Sequence, residues 1–342
     1  MLRRMLEGFQ WSVIPVPGRL LAIIFFVFLC IFPLIVQNPY YLRVLTLASI
    51  FVVFAVSWDL LSGYCGQVNF GHALFFGVGA YSSALMFKYL GWPPWATIPV
   101  GALVATLTGV VTCLPALRLR GPYLSLLTLA FPIMLLALIS AFKDVTGGEY
   151  GIWGLPSLAG SRVSEYYICF IVMSVVLFIM WKLTGTRIGL MFHAIREDEI
   201  AARVLGINTI RYKLLAFAIG GLVAGIAGGF YVHVLRIAGP STLALTMSFQ
   251  AVIWVVFGGI TSIYGAVVGV YILYPLGELS RGTLIAEYRF LILPILVILV
   301  LLFMPEGIAV WIRGKLERQC PRCYLSNAAW RRECRACSAS LR

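Results

Sequence analysis

Residues 43–62 read RVLTLASIFVVFAVSWDLLS, and residues 63–72 read GYCGQVNFGH. The first string is apolar for the length a helix needs to cross a bilayer core of about 30 Å. The second sets Gly63, Gly66 and Gly71 among polar side chains directly behind it. Apolar strings of this kind recur along the chain. Hydrophobic residues make up 61% of the 342, charged residues only 11%, and mean hydropathy is +0.96. A soluble fold carries roughly 25% charged residues, so this chain cannot cover its apolar side chains with its own polar surface. The composition excludes a cytosolic enzyme, a secreted disulfide scaffold and a disordered regulator.

Nine apolar stretches stand out, near 20–36, 43–62, 68–88, 95–117, 122–142, 165–183, 212–235, 243–279 and 288–310. Their hydrophobicity is continuous, whereas the strands of a membrane barrel alternate. The expected fold is therefore all-α, a polytopic bundle. The stretch 243–279 is too long for one span, and the turn-like run Gly258 to Gly265 divides it. That gives ten spans. The first stretch has no small-residue cleavage site behind it and reads as a retained helix rather than a secretory signal.

The net charge of +13, from 26 Lys and Arg against 13 Asp and Glu, follows the bias of basic residues toward cytoplasmic loops. Arg3, Arg4 and Arg19 precede the first span. Arg118 and Arg120 follow the fourth. Lys182, Arg187, Arg196, Arg203, Arg211 and Lys213 follow the sixth, and Arg313, Lys315 and Arg318 follow the last. Both termini are expected inside, which requires an even number of spans. The division is 1–19, a cytoplasmic N-terminal segment; 20–312, a membrane domain; and 313–342, a basic tail.

Irregular backbone is tolerated at membrane depth only where protein or a cavity surrounds it. Gln67, Asn69, Gly71 and His72 are therefore candidates either to line a translocation path or to fix a helix break. Gly221, Gly225 and Gly229 recur four apart and place small residues on one helix face, the usual device for close packing in lipid. A short echo links Phe76 to Tyr81, behind the first break, with Val268 to Tyr271, behind the second.

The long charged loop 184–212 reads as holding one short helix over 195–205, with Ile200, Ala201, Val204 and Leu205 on a common face. Glu199 precedes Arg203 by four residues, the favourable order for a helical ion pair. Its mixed charge suits a protein groove better than an anionic lipid surface, the solvated face being the plainer alternative. The chain has no Gly-x-x-x-x-Gly-Lys-Ser/Thr phosphate loop, so any ATP that drives it is hydrolysed by another subunit.

The tail carries Cys320, Cys323, Cys334 and Cys337 as two Cys-x-x-Cys knuckles. Four thiolates in that spacing suit a tetrahedral zinc, and a module this small would draw its folding free energy from the metal. Redox chemistry or unpaired thiols are the alternatives. Its arginines suit membrane lipid or a partner protein, and no reader motif argues for nucleic acid.

Several ordered motifs resemble those of the branched-chain amino acid ABC transporter permeases. They are Gly63 to Tyr81, Arg118 to Tyr123 with Thr128 to Phe131, Thr146-Gly147-Gly148 with Gly151, Gly154 and Pro156, Ala194 to Ile207, and Met304-Pro305-Glu306-Gly307. The resemblance covers roughly 20–312. It implies a bacterial inner-membrane importer subunit paired with a second, homologous permease. It also implies two ATP-binding subunits beneath and an external substrate-binding protein that meets Thr146, Gly147 and Gly148. Arg196, Glu199, Ala201, Ala202 and Gly206 fall in the segment that resembles the family's coupling element. Cys65 and the Asn69-Phe70 pair depart from the pattern, where many relatives have a small residue and Ser-Leu. Relatives of this fold also move urea and other amides, so the implied substrate is a branched-chain amino acid or, alternatively, an amide.

An ion-coupled secondary transporter is the rival from another class. Such carriers place ionisable groups mid-membrane, and Asp59 and Glu278 sit at span ends instead. A membrane enzyme finds no support, because His72, His193 and His233 form no Cys-His or His-Glu pattern.

Overall fold

In the computed structural model the described residues are 17–117, 119, 122–280, 289–323, 326–331, 333, 334, 337, 339 and 340. Arg3, Arg4, Arg118, Arg120, Arg332, Arg335 and Arg342, and most of the 1–19 segment, lie outside them.

The chain begins with α1 (Pro17–Ile35). Asn38 then accepts the Tyr40 N–H at 3.0 Å and starts α2 (Pro39–Trp58), which runs on into a π-helical turn at Asp59–Tyr64. Next come α3 (Ala73–Leu90), α4 (Pro94–Ala116), α5 (Pro122–Ala141) and the short α6 (Lys143–Thr146). Proline at the first helical position begins α2 and α4, where its missing N–H costs nothing. Ser161 caps α7 (Arg162–Thr184). Two short helices, α8 (Arg187–Glu197) and α9 (Glu199–Val204), lead to α10 (Thr209–Leu235). The chain closes with α11 (Leu245–Gly258), α12 (Ile263–Leu279), α13 (Arg289–Phe303) and α14 (Ile308–Leu316). Two small antiparallel ladders complete it, β1 (Ile152–Trp153) with β2 (Ile237–Ala238) and β3 (Glu317–Gln319) with β4 (Ser326–Ala328).

The all-α polytopic architecture is thus present. Among the described residues seven helices are long and apolar enough to cross a membrane, or eight if α11 and α12 are counted together. The ten-span expectation needs refinement here. The stretch 243–279 does divide where Gly258 to Gly265 suggested, but its halves are bent by 111°. Their 14 and 17 residues reach about 21 and 26 Å at helical rise, so neither crosses a 30 Å core upright. They form a V.

Packing explains why α10 lies at the centre. A Cβ at Gly221 would sit 2.7 Å from the Ala105 carbonyl oxygen of α4, and one at Gly225 would sit 2.6 Å from the Ala105 methyl. Gly228 seats against the Phe76 carbonyl of α3. The glycine face is filled from within the chain, and it lets three backbones approach where lipid supplies no hydrophobic drive.

Contacts between distant segments sort into two ends. At one, β1 pairs with β2 and Lys88 donates to the Val145 carbonyl. At the other, Thr261 N–H donates to Asp59 at 2.9 Å, Arg313 donates to Tyr264 at 3.1 Å and the Gly18 N–H donates to Glu317 at 3.1 Å. The start of α1 and the residue after α14 therefore meet at one end.

Candidate functional site

The polar end of α2 is wound as a π-helix, in which Cys65 N–H reaches the Leu60 carbonyl. Beyond it the backbone is irregular until α3 and is held by a lattice of hydrogen bonds, while His72 Nδ1 is buried without a partner. Trp58 Nε1 donates to the Asn69 carbonyl at 2.7 Å, and Ser62 Oγ donates to the Gln67 carbonyl at 3.1 Å. Asn69 Oδ1 accepts the Gly71 N–H at 2.8 Å. Phe70 N–H reaches Thr128 Oγ1 at 3.2 Å, and Ala73 N–H reaches Ser248 Oγ at 2.8 Å. His72 Nε2 pairs with Ser57 Oγ at 2.7 Å. Gln67, Asn69 and His72 are buried, and a Cβ at Gly71 would strike the Thr128 carbonyl. These contacts hold the irregular segment against α2, α5 and α11. Val68, not singled out from sequence, is exposed, and Phe70, noted there only as a departure from the family pattern, is half-buried with its ring 5.7 Å from that of Phe249.

The loop 184–212 departs from expectation in one respect. The single helix anticipated over 195–205 is two helices that meet at Asp198. That residue is extended (φ −153°) and caps α9 by accepting Ile200 N–H at 2.8 Å and Ala201 N–H at 3.0 Å. Aspartate is among the strongest N-caps, and here capping outweighs continuation of α8. Glu199 pairs with Arg203 at 2.8 Å, as its spacing predicts, and also with Lys213 of α10 at 2.8 Å. Lys213 is buried. A lysine inside an apolar run needs a counter-charge, and that signal could have located the pair from sequence. Ala202 is buried against the bundle. Ile200, Val204 and Leu205 are 61%, 82% and 81% exposed. Gly206 (φ +85°) ends the element in the left-handed region, with open space around it.

This lever touches the break directly. Gly66 holds φ +70°, and a Cβ there would lie 3.0 Å from the Arg196 Cα of α8. Tyr64 and His193 meet edge to face at 5.2 Å. Burial, with Arg196 adding to it, holds the His193 imidazole below its ordinary pKa, so the ring is neutral at physiological pH. Neither contact was legible from sequence, because both join segments more than a hundred residues apart.

At the opposite end Thr146 Oγ1 donates to the Ile139 carbonyl at 2.7 Å, Gly148 N–H donates back to that hydroxyl at 3.2 Å, and Gly147 and Gly148 turn the chain with φ +79° and +57°. The exposed side chains beside this turn are Tyr150 and Trp153.

In the tail, Cys320, Cys323, Cys334 and Cys337 bring their sulfurs within 4.8 Å of one another. Cys320 and Cys337 lie 3.4 Å apart, as do Cys323 and Cys334. The N–H groups of Cys323, above all, and Arg322 favour the Cys320 thiolate and lower its pKa. Asn327 Nδ2 approaches Cys334 Sγ at 3.6 Å. The cluster could hold a metal ion.

Residues 40–302 match the family model described as the branched-chain amino acid transport system permease component. Over 301 residues the chain is 29% identical to the high-affinity branched-chain amino acid transport system permease protein LivM of Escherichia coli K12, covering 80% of this chain and 70% of that protein. Over 285 residues it is 30% identical to the LivH permease of Salmonella typhimurium, covering 77% and 92%. A probable LivH permease of Methanocaldococcus jannaschii is 27% identical over 294 residues. The cysteine cluster lies beyond the matched residues.

Proposed function

From the premise that the chain belongs to the branched-chain amino acid transport permease family, we propose that it forms half of the translocation path of an ATP-driven importer for branched-chain amino acids. Residues 20–312 make the permease and 313–342 an appended tail. The observation that carries the reading is the apolar face of Ile200, Val204 and Leu205, left uncovered on α9 and its end, directly behind α8, whose Arg196 packs against the break.

The end that bears Lys182, Arg187, Arg196, Arg203, Arg211, Arg313 and Lys315 is the cytoplasmic one by the loop-charge rule, and both termini lie on that side of a bacterial inner membrane. Likeness to both LivM and LivH relatives supports a second, homologous permease as the partner across the path. An ATP-binding subunit takes Ile200, Val204 and Leu205 into a groove, one such subunit for each permease, and hydrolyses the ATP. Glu199 does not enter the groove; it ties the lever to α10 through Lys213. The chain itself performs no covalent step. On the outer side the Thr146–Gly148 turn, with Tyr150 and Trp153, is the surface offered to an external substrate-binding protein.

Zinc fits the four cysteines. A Zn–S bond of about 2.3 Å implies sulfurs about 3.8 Å apart in a tetrahedron, close to the spacing here. Among the described residues the apolar cluster around them consists of the cysteines and Ala339, and the ion would supply folding free energy to this small module. The Asn327 amide stands where an N–H···S contact steadies a ligand.

Substrate identity is tested by uptake of radiolabelled leucine, isoleucine, valine and urea in cells that lack this chain and in cells that regain it. Restored uptake of the three amino acids supports the proposal, and restored uptake of urea alone assigns the amide substrate instead.

A further inference from the structure

The break carries two faces. Its inner face is the polar lattice of Trp58, Ser62, Asn69 and His72. Its outer face consists of Val68, which is 39% exposed, and Phe70, which packs on the equally exposed Phe249 of α11. Ile253, one turn beyond Phe249, extends the same exposed face. These side chains sit directly over irregular backbone: Ser125 Oγ donates to the Val68 carbonyl at 3.3 Å and Thr128 Oγ1 accepts the Phe70 N–H. Lipid cannot cover such a surface, because non-helical backbone at membrane depth must be enclosed by protein or line a cavity. Given a second permease across the path, this surface is the one that faces it.

We propose that Val68, Phe70 and Phe249 form this subunit's half of an apolar gate across the path, closed against the matching segment of the second permease and opened through α8. The inference rests on the importer reading above. Apolar constrictions block by excluding water, so the closed gate stops polar solutes and ions without needing a charged residue. The position suits an energised gate, because Gly66 and Tyr64 join the same segment to Arg196 and His193. A movement of the lever therefore reaches the gate through two contacts. Thr261 N–H, bonded to Asp59, ties the turn of the V to the same node, so α11 and its Phe249 move with the break.

The complete importer, reconstituted in proteoliposomes without ATP, tests this through the passive leak of leucine and of K+. Phe70→Ala with Phe249→Ala raises both leaks by on the order of tenfold, while the complex still assembles and the ATPases still turn over. Phe249→Ala alone, on the surface of a regular helix, gives a smaller rise, and Phe70→Leu restores tightness. Variants as tight as wild type, with normal ATP-driven uptake, overturn the gate. K+ is independent of the cargo. Failure of the wild-type complex to take up leucine with ATP would therefore sink the importer reading while the K+ leak still decides the gate.

Discussion

Two elements leave the bundle at the same end, and they are built in opposite ways. The lever at 187–206 caps its helices with Thr186 and Asp198 and is pinned by the Glu199 ion pairs, yet leaves Val204 and Leu205 almost fully exposed. The tail at 317–340 has a three-residue ladder and a core of little but sulfur. One is finished locally and unfinished at its surface, so it calls for a protein. The other brings four thiols together in a cluster that could hold a metal ion. Each is tied to the bundle by different helices. Glu317 holds Arg313 at 3.0 Å and the Gly18 N–H, and Gly66 rests on Arg196.

The contrast breaks most sharply at the tail. Structural zinc supplies on the order of 10 kcal/mol to small modules, so Cys320→Ser with Cys334→Ser should abolish bound zinc and expose residues beyond 317 to protease. Helical content of the bundle should not change. Metal analysis and limited proteolysis of the purified chain check this, and an unaltered tail with no metal would overturn it. On the lever the effect is smaller and lies in binding. Each Val or Leu buried in a groove is worth about 1.5–3 kcal/mol, so Val204→Glu with Leu205→Glu should strip the ATPase subunits from the purified complex and stop uptake. Insertion of the chain should be normal.

Two further changes sharpen the comparison. Lys213→Met removes one charged partner of Glu199 and leaves its pairing with Arg203. Removing one partner of a buried pair costs about 3–5 kcal/mol, and the partial exposure of Glu199 reduces this to roughly 1–3 kcal/mol. ATP hydrolysis should continue while uptake falls, and Glu199→Gln added to Lys213→Met should recover thermal stability but not uptake. The smallest effect belongs to Gly206→Ala. Its space is open, so the cost is the left-handed conformation alone, about 1–2 kcal/mol, seen as a modest drop in melting temperature.

How much of this could be read from the chain follows from the range of each force. The spans were legible because burial in lipid acts on every residue of a run. The cysteines were legible because two knuckles announce their chemistry within a few residues. The interruption of the lever was not, because Asp198 could serve as an ordinary helical residue or a cap, and only the geometry decides. Gln67, Asn69 and His72 were recognised as polar groups needing partners, but the partners were carbonyls and hydroxyls of the bundle, which no pattern reveals. The Tyr64–His193 contact joins segments far apart in the chain, whereas Lys213, a lysine in an apolar run, signals its need for a counter-charge. Phe70 and Phe249 look like any apolar residues until the break exposes them.

The central claim is that this chain moves solute only when force reaches it through residues 187–206. Proteoliposomes holding this chain and its permease partner, supplied with binding protein, leucine and ATP, measure it directly when assayed with and without the ATPase subunits and with an imposed ion gradient. The account predicts uphill leucine accumulation only when the ATPases are present. Accumulation driven by the ion gradient without them would contradict it.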